Sequence, residues 1–315
     1  MQIINGKILA EKIKNEIVKE ILRKDFFEEQ NCQDSSCACH VREKNNKTIK
    51  QKSNFILTCP RPNLAIILIG NREDSDLYVG LKEKEAKKVG IDTHLYKYAD
   101  GISEKEILDS INYLNNDDCI DAILIQLPLP KRLDTDKIIN SIKKEKDIDG
   151  FHPDNLKILL NSCNGGAMMP PVFGACLEIL KSINCELKNK KVCIIANSDI
   201  FGKTLAKVLE CRGAEVETVK ADNKDLKNKT SEADILITAV GKSKFIKKDM
   251  VKKDAVIIDI GITKEGKKVY GDVDFEDVKN VAGYITPVPG GVGPLTIAMA
   301  FKNTVELYKK RLNIK

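Results

Sequence analysis

The stretch that decides the fold is KVCIIANSDIFGKT, residues 191–204. Its first seven residues form a short apolar run typical of a buried strand, and helical spacing of apolar residues begins at 201. In a doubly wound α/β fold, the loop between the first strand and the first helix is where a nucleotide phosphate binds. The usual G-x-G-x-x-G is absent, because only Gly202 remains. The stretch alone therefore leaves open a plain turn between a strand and a helix.

Predicted strands and helices alternate on both sides of this stretch. The strands are 64–70, 93–99, 121–130, 191–197, 215–220, 233–240, 255–261 and 284–286, and the helices between them include 75–89, 103–116, 134–143, 172–187 and 201–212. Such alternation predicts parallel sheets with helices on both faces. Two series meet near residue 165. We expect two α/β domains with a cleft between them, residues 1–165 plus 286–315 and residues 166–285, the second a Rossmann-like doubly wound sheet.

The N-terminal region changes character after a predicted helix at 7–24. Residues 29–60 are polar and predict a disordered or loosely ordered insertion. This insertion contains a possible metal-binding group, Cys32, Cys37, Cys39 and His40. Its spacing, C-x4-C-x-C-H, matches no familiar zinc pattern and no second pair follows, so we expect no metal.

Composition narrows the class of protein. The chain has 315 residues, 42% hydrophobic and 31% charged, with a formal net charge of +6. The charge suits anionic small molecules, and the lack of basic runs interleaved with aromatic residues argues against nucleic acid. We expect no membrane span and no targeting peptide, hence a cytoplasmic protein. The ten cysteines, such as Cys119 and Cys193, lie mostly in apolar runs and are expected to be reduced.

Residues 286–294, TPVPGGVGP, predict a rigid loop before a helix at 295–312. Three prolines fix φ and three glycines allow a close approach of the backbone to a flat ligand. The segment by itself is also compatible with a sharp turn between domains.

The first domain contains candidate catalytic groups. Tyr78 and Lys82 lie four residues apart and so on one face of a predicted helix, where we expect Lys82 to stack against Tyr78 beside buried Val79 and Leu81. A shielded lysine can act as an acid or base near neutral pH.

Polar residues of the first domain also follow its strands. Gln126 lies at the end of a strand, where ligands of α/β sheets bind. Asp147 and Asp149, in KDIDGFHP, are either turn formers or ligand acceptors.

One residue of the second domain bears on cofactor choice. Lys220 ends the second strand of that domain, where an NAD-selective protein usually has an acid. A base there favours the 2′-phosphate of NADP, although Lys220 is equally explained as one surface residue in a lysine-rich chain.

With these residues in view, the chain resembles the bifunctional methylenetetrahydrofolate dehydrogenase/methenyltetrahydrofolate cyclohydrolase family. The matching segments occur in the family's order and cover nearly the whole chain outside 29–60: IGNREDSDLYVGLKEKEAKKVGI, ILIQLPLP, EKDIDGFHPDN, ADILITAVGK, AVIIDIGI, GDVDF and TPVPGGVGPLTIAM. The resemblance implies NADP-dependent oxidation of 5,10-methylenetetrahydrofolate, hydrolysis of the methenyl product to 10-formyltetrahydrofolate, and a homodimer. It makes 1–165 plus 286–315 the catalytic, folate-binding domain and 166–285 the NADP-binding domain.

The resemblance also implies roles for single residues. Lys82 would assist water attack and proton transfer, Gln126 would tune Lys82, and Tyr78 would orient the aromatic part of the folate. Asp149 would accept hydrogen bonds from the pterin. The folate would meet a wall of the cleft formed by Pro287, Gly290, Gly291 and Gly293, and the cofactor would contact Ala196, Asn197, Ser198, Gly202, Lys220, Gly241 and Ile262.

The departures from the family pattern cluster on the cofactor side. Ala196, Asn197 and Ser198 replace Gly-Arg-Ser, whose Arg helps hold the 2′-phosphate, and Phe201 replaces Val. Lys220 stands where the family has His. Two explanations stay open: Lys220 replaces the lost Arg and NADP use persists, or the dehydrogenase step is impaired and the protein is mainly a cyclohydrolase. A third, a non-catalytic folate-binding scaffold, has no need of the retained folate-side residues.

Overall fold

The computed structural model describes residues 1–22, 61–163, 168–266 and 268–312. The predicted insertion at 29–60, with its Cys/His group, lies outside these residues. Within the described ranges the chain forms α/β units, as the alternating pattern predicts.

The first unit is a three-stranded parallel sheet in the order β3-β2-β4. All seven residues of the central strand β2 are buried, which explains its continuous apolar run. The strands are β2 (Asn63–Ile69), β3 (Asp92–Tyr98) and β4 (Ala122–Ile125), and the helices that connect and flank them are α2 (Glu73–Val89), α3 (Glu104–Asn116), α4 (Thr135–Asn140) and α5 (Pro153–Asn161).

The second unit is a six-stranded sheet in the order β1-β11-β8-β7-β5-β6, with every pair parallel. Its strands are β1 (Gln2–Ile3), β5 (Lys191–Ala196), β6 (Glu215–Val219), β7 (Ile235–Ala239), β8 (Val256–Asp259) and β11 (Tyr284–Ile285); β9 (Thr263–Glu265) and β10 (Lys268–Tyr270) form a separate antiparallel pair. The strand order reverses between β5 and β7, which creates the switch point where ligands of such folds bind.

Helices join the two units. The long helix α10 (Val292–Leu312) packs against both α1 (Gly6–Ile21) and α6 (Pro171–Ser182). Shorter helices cover the second sheet: α7 (Asp199–Glu210), α8 (Leu226–Ser231) and α9 (Phe275–Val278). The buried amide of Asn303 on α10 donates to the backbone oxygens of Ile148 and Met169, both at 2.9 Å. One side chain thereby fixes the end of the first unit against the start of the second.

Several expectations need correction. β4 stops at Ile125, and Pro128 and Pro130 beyond it have no backbone N–H to donate to a neighbouring strand, so the predicted strand at 121–130 was too long. The helix expected at 295 begins at Val292, which places Gly293 in its first turn. The two residues of β1, assigned to the first domain from sequence, pair with β11 in the second sheet. The domain boundaries themselves stay a prediction.

The expectation of reduced cysteines was wrong in part. Cys163, just after α5, and Cys211, at the end of α7, form a disulfide with their Cα atoms 5.3 Å apart. Cys119 is disulfide-bonded as well. Cys193 is a buried free thiol, as its apolar surroundings predict.

Candidate active site

Lys82 and Gln126 meet at the carboxyl end of the first sheet. Lys82 Nζ donates to Gln126 Oε1 at 2.9 Å, and Gln126 Nε2 donates to the Leu127 backbone oxygen at 2.8 Å. Both ends of the Gln126 amide are therefore engaged, which orients its oxygen towards the lysine. Burial lowers the pKa of Lys82, an effect that the negative charge of Asp149 partly opposes. Lys82 thus has the properties of an acid–base group.

Tyr78 lies one helical turn before Lys82. In the described part of the chain the cation–aromatic contacts involve the rings of Phe245, Tyr270 and Tyr308, so the expected stacking of Lys82 on Tyr78 is not observed. Its side chain is 40% exposed and available to a ligand. On the same helix Val79 is buried as expected, whereas Leu81 is 43% exposed, so the prediction that Leu81 is shielded was wrong. An exposed tyrosine and an exposed leucine beside a half-buried lysine form an open, mostly apolar surface.

The two acids of KDIDGFHP have different environments. Asp147 is buried and accepts hydrogen bonds from the backbone of Gly150 at 3.0 Å and of His152 at 2.8 Å, and from the Asn155 amide at 3.0 Å. It is therefore the turn former. Asp149 accepts no hydrogen bond from the part of the chain that the structure describes. Burial is the main cause that raises its pKa to about 6, with Lys82 opposing and Asp147 adding to the rise.

A carboxylate that is half-buried, without a hydrogen-bond donor and close to a lysine of lowered pKa is a feature of binding and catalytic sites. Its four lone-pair positions are open to a ligand with N–H groups. The structure brings Lys82 and Gln126 into contact and places the charge of Asp149 close to Lys82, whereas Asp147 is engaged by its own hydrogen bonds within the turn.

The loop at 286–291 lies against the start of α1. A Cβ built on Gly6 would be 1.8 Å from the backbone oxygen of Gly291, so only glycine fits there. Gly290 has φ +106°, and a Cβ on Gly291 would lie 2.6 Å from the Pro287 oxygen. The peptide between Val288 and Pro289 is cis. The loop is therefore tightly fixed, while Gly293 borders open space.

The first predicted cofactor residues lie at the carboxyl end of β5. Ala196 ends that strand and is buried. Asn197 donates to the Val240 oxygen at 2.9 Å and so bridges the switch point between β5 and β7. Ser198 caps α7 by accepting from the Phe201 backbone at 3.3 Å. A Cβ built on Gly202, in the first turn of α7, would lie 3.6 Å from the Thr218 side chain of β6 and 3.7 Å from that of Ala196, which is ordinary van der Waals contact.

The other predicted cofactor residues follow β6, β7 and β8. Lys220, after β6, forms an ion pair of 2.9 Å with Asp199, the first residue of α7. Gly241, after β7, has φ +67° and open space where a Cβ would stand. Ile262, after β8, is 52% exposed. All seven residues therefore lie at the carboxyl edge of the six-stranded sheet, where dinucleotides bind in such folds.

Two buried acids, which the sequence analysis missed, organise this edge. Asp272 accepts from the Thr238 hydroxyl at 2.9 Å, the Val240 backbone at 2.8 Å and the Lys242 backbone at 2.8 Å. Asp259 accepts from the backbone of Asp272 at 3.0 Å. The position of Asp259 at the end of a predicted strand was the available signal.

Asp259 also reaches the proline-glycine loop. Its backbone N–H donates to Thr286 Oγ1 at 2.8 Å, and its carboxylate accepts from the Gly261 and Val273 backbones. Burial raises the pKa of Asp259 to about 7. The loops after β7 and β8 are thus tied to the carboxylates of Asp272 and Asp259, and the backbone of Asp259 holds Thr286 at the start of the proline-glycine loop.

Comparison with known proteins agrees with this geometry. Residues 4–149 match the catalytic domain, and residues 170–312 the NAD(P)-binding domain, of the tetrahydrofolate dehydrogenase/cyclohydrolase family. The chain belongs to this family. A bifunctional protein FolD of Nitratiruptor sp. is 40% identical over 99% of both chains, and that of Mycoplasma capricolum is 43% identical over 86% of this chain and 96% of its own.

Solved structures of the family share the whole architecture. The bifunctional FolD enzyme of Campylobacter jejuni has a TM-score of 0.84 at 36% identity and covers 99% of both chains. FolD from Trypanosoma brucei, solved with NADP and an inhibitor, has a TM-score of 0.84 at 28% identity over 98% of both chains. The expected family and the two-domain fold with a Rossmann-like second domain are confirmed.

The described residues contain neither a candidate metal site nor a membrane-spanning helix. No cluster of three or more His, Cys, Asp or Glu side chains that could hold a metal ion occurs in the described ranges. None of the helices in this part of the chain has the length and apolar character needed to cross a membrane.

Proposed function

We propose that this FolD-family protein oxidises 5,10-methylenetetrahydrofolate to 5,10-methenyltetrahydrofolate with NADP and hydrolyses the product to 10-formyltetrahydrofolate. One observation carries the proposal: Lys82, with its pKa lowered by burial, is held 2.9 Å from Gln126 and near the carboxylate of Asp149, which has no donor among the described residues. This arrangement supplies proton transfer and recognition of N–H groups at one place.

The hydrolytic step follows from the chemistry of Lys82. Its neutral amine accepts a proton from the water that attacks the methenyl carbon, and the bond from that carbon to N5 then breaks. This proton goes to N5. The hydroxyl left on the carbon then loses its own proton to solvent, which leaves the formyl group on N10 and balances the positive charge of the methenyl group. Gln126 holds the amine in place through its carbonyl oxygen, and the charge of Asp149 stabilises the ammonium form.

Substrate positioning falls to the neighbouring groups. Asp149 accepts hydrogen bonds from paired N–H groups of the pterin, since its oxygens have no partner in the described chain. The exposed ring of Tyr78 packs on the aromatic part of the folate. Pro287, Gly290, Gly291 and Gly293 form the wall of the cleft, because the rigid loop they belong to presents backbone with little side-chain bulk.

The edge of the six-stranded sheet fits a dinucleotide. The N-terminus of α7 offers backbone N–H groups to a phosphate, and Gly241 leaves open the space that a Cβ would fill. Ala196, Asn197, Ser198 and Gly202 line the same edge. Lys220 supplies a cation on the adenosine side, and Ile262 supplies an exposed apolar side chain. When bound there, NADP supplies the nicotinamide that accepts the hydride from the methylene carbon.

A second candidate function is a cyclohydrolase whose dehydrogenase step is impaired. It is favoured by the ion pair of Lys220 with Asp199, since Lys220, the residue expected to replace the missing Arg, already has a carboxylate partner. This candidate shares the folate half of the mechanism. The two are separated by supplying methylenetetrahydrofolate and NADP and measuring the absorbance of reduced nicotinamide.

The experiment that tests the folate half compares Lys82→Met with Lys84→Met. Both lysines lie on α2, and Lys84 is exposed. We expect Lys82→Met to lower the rate of methenyl hydrolysis by a factor on the order of 100 to 10,000, with an unchanged circular dichroism spectrum. Lys84→Met should retain the parental rate. Equal rates in the two variants would remove Lys82 from the mechanism. A parent protein that does not hydrolyse the methenyl compound at all would leave the non-catalytic scaffold.

We further propose, from the family resemblance, a cytoplasmic homodimer that does not bind nucleic acid. The modest net charge of +6 agrees with a small anionic substrate. Sedimentation of the purified protein would test the dimer.

A further inference from the structure

The ion pair of Asp199 with Lys220 occupies a position that matters for cofactor choice. Lys220 follows the second strand of the cofactor sheet, and Asp199 begins the helix that follows the first strand. Their charged atoms lie 2.9 Å apart, and the side chains of Lys220 and Asp199 are 56% and 61% exposed. Two opposite charges therefore stand where the adenosine ribose lies in doubly wound folds.

The pair has little value for stability. Exposed ion pairs contribute little to the free energy of folding, so either side chain can exchange its partner for a ligand at little cost. The pair also gives no net positive charge to its surroundings. Asp199 is also influenced by the positive charge of Lys203, and Lys220 by the negative charge of Asp222. These four side chains carry two positive and two negative charges, so their formal charges cancel.

A 2′-phosphate and a 2′-hydroxyl make opposite demands on this site. The phosphate carries a charge of about −1.5 to −2 and needs a cation free of competing carboxylates. The hydroxyl can donate a hydrogen bond to a carboxylate, as it does to the acid that follows the second strand in NAD-selective folds. Asp199 opposes the first ligand and suits the second.

We propose that Asp199 is a specificity-determining residue, which neutralises Lys220 and narrows the preference of this protein for the 2′-phosphorylated dinucleotide over the unphosphorylated one. The proposal rests on the dinucleotide site of the proposed function. Lys220 alone would favour NADP, whereas the pair accepts both dinucleotides with smaller discrimination.

The test measures binding in the absence of catalysis. Dissociation constants of NADP, NAD, 2′,5′-ADP and 5′-AMP are measured by calorimetry for the parent, for Asp199→Asn and for Glu210→Gln. Glu210 is the exposed last residue of the same helix, so its variant makes the same charge change away from the site. We expect Asp199→Asn to tighten NADP and 2′,5′-ADP on the order of tenfold. The affinity for NAD should stay the same or fall.

The double variant Asp199→Asn/Lys220→Met should lose this gain, because the gain comes from the freed ammonium. If the ratio of the NADP affinity to the NAD affinity is the same in Asp199→Asn as in Glu210→Gln, the inference is overturned and the proposed function stands. If the parent binds neither dinucleotide nor either fragment, the dinucleotide half of the proposed function fails together with the inference.

Discussion

Replacement of Asp149 by Asn should make the protein more stable and less active. The pKa of this carboxyl group is raised from 3.8 to about 6, chiefly by burial. Because the folded-state pKa lies above the unfolded one, the folded protein is favoured when Asp149 is protonated. This contribution is present below about pH 4 and is lost as the pH rises through about 6.

The size of the effect follows from the difference of about 2 pKa units between the two states. At about 1.4 kcal/mol for each unit, an ionised Asp149 costs the folded state about 3 kcal/mol at pH 7.5. Asn has nearly the same shape and no charge, so the variant avoids this cost. It cannot offer a charged acceptor to the pterin, and folate binding should weaken on the order of tenfold to a hundredfold.

Urea unfolding of the parent and of Asp149→Asn at several values between pH 4.5 and 7.5 measures the difference in stability, and a titration of each folded protein with folate measures the difference in affinity. The free energy of unfolding of the parent should fall relative to that of the variant as the pH rises. Asp154→Asn is the matched control, since Asp154 lies in the next turn of chain and is 58% exposed. A variant no more stable than this control at pH 7.5 would refute the account of Asp149 as a destabilising, functional carboxylate.

Two further changes test the packing of the chain. Gly6→Ala should lower the free energy of unfolding by about 1–3 kcal/mol and slow methenyl hydrolysis, since its Cβ would meet a backbone oxygen of the proline-glycine loop at 1.8 Å. Gly80→Ala, on open helix surface, should leave stability equal or raise it by up to about 1 kcal/mol, and a loss in this control as large as that of Gly6→Ala would contradict the packing argument. Cys163→Ser should lower the free energy of unfolding of the oxidised protein by about 4 kcal/mol, because its bond to Cys211 closes a loop with a sequence separation of 48. Cys185→Ser removes a free, half-buried thiol and is the control, and it should retain the stability of the parent. A dithiol reductant also breaks the disulfide of Cys119, so it should lower the free energy of unfolding of both the parent and Cys163→Ser, and that of the parent by about 4 kcal/mol more. An equal loss in the two proteins would show that the bond between Cys163 and Cys211 contributes nothing.

Elements with a strong local pattern were predictable from the sequence. The apolar run of β2 and the strand–loop–helix at 191–204 define the two sheets, because a continuous apolar strand is stable only between two covered faces. Elements without such a pattern were missed. β1 has only two residues, and its pairing with β11 is far away in sequence. α5 was also missed. Its first residue is Pro153, and the sequence around this proline was interpreted as a loop.

The site was predictable as a set of residues but not as an arrangement. Helix spacing placed Lys82 on one face with Tyr78, and Gln126 was placed at a strand end, but only the family resemblance implied that the two residues meet. The structure adds the hydrogen bond that joins them. Asp147 and Asp149 share one turn, so their different partners could be decided only from the folded chain. The pairing of Cys163 with Cys211 and that of Asp199 with Lys220 join separate elements, and local propensity carries no information on either.

The buried pair Asp259 and Asp272 has a consequence for ligand exchange. Asp259 binds Thr286, at the start of the proline-glycine loop. Its partner Asp272 binds the backbone of Val240 and Lys242, after β7. A loop that opened by itself would leave a buried carboxylate or donor without its partner, which is costly. We therefore expect these loops to remain shut as one rigid piece. Binding and release of the proposed folate and dinucleotide would then require a movement of the three-stranded unit relative to these loops.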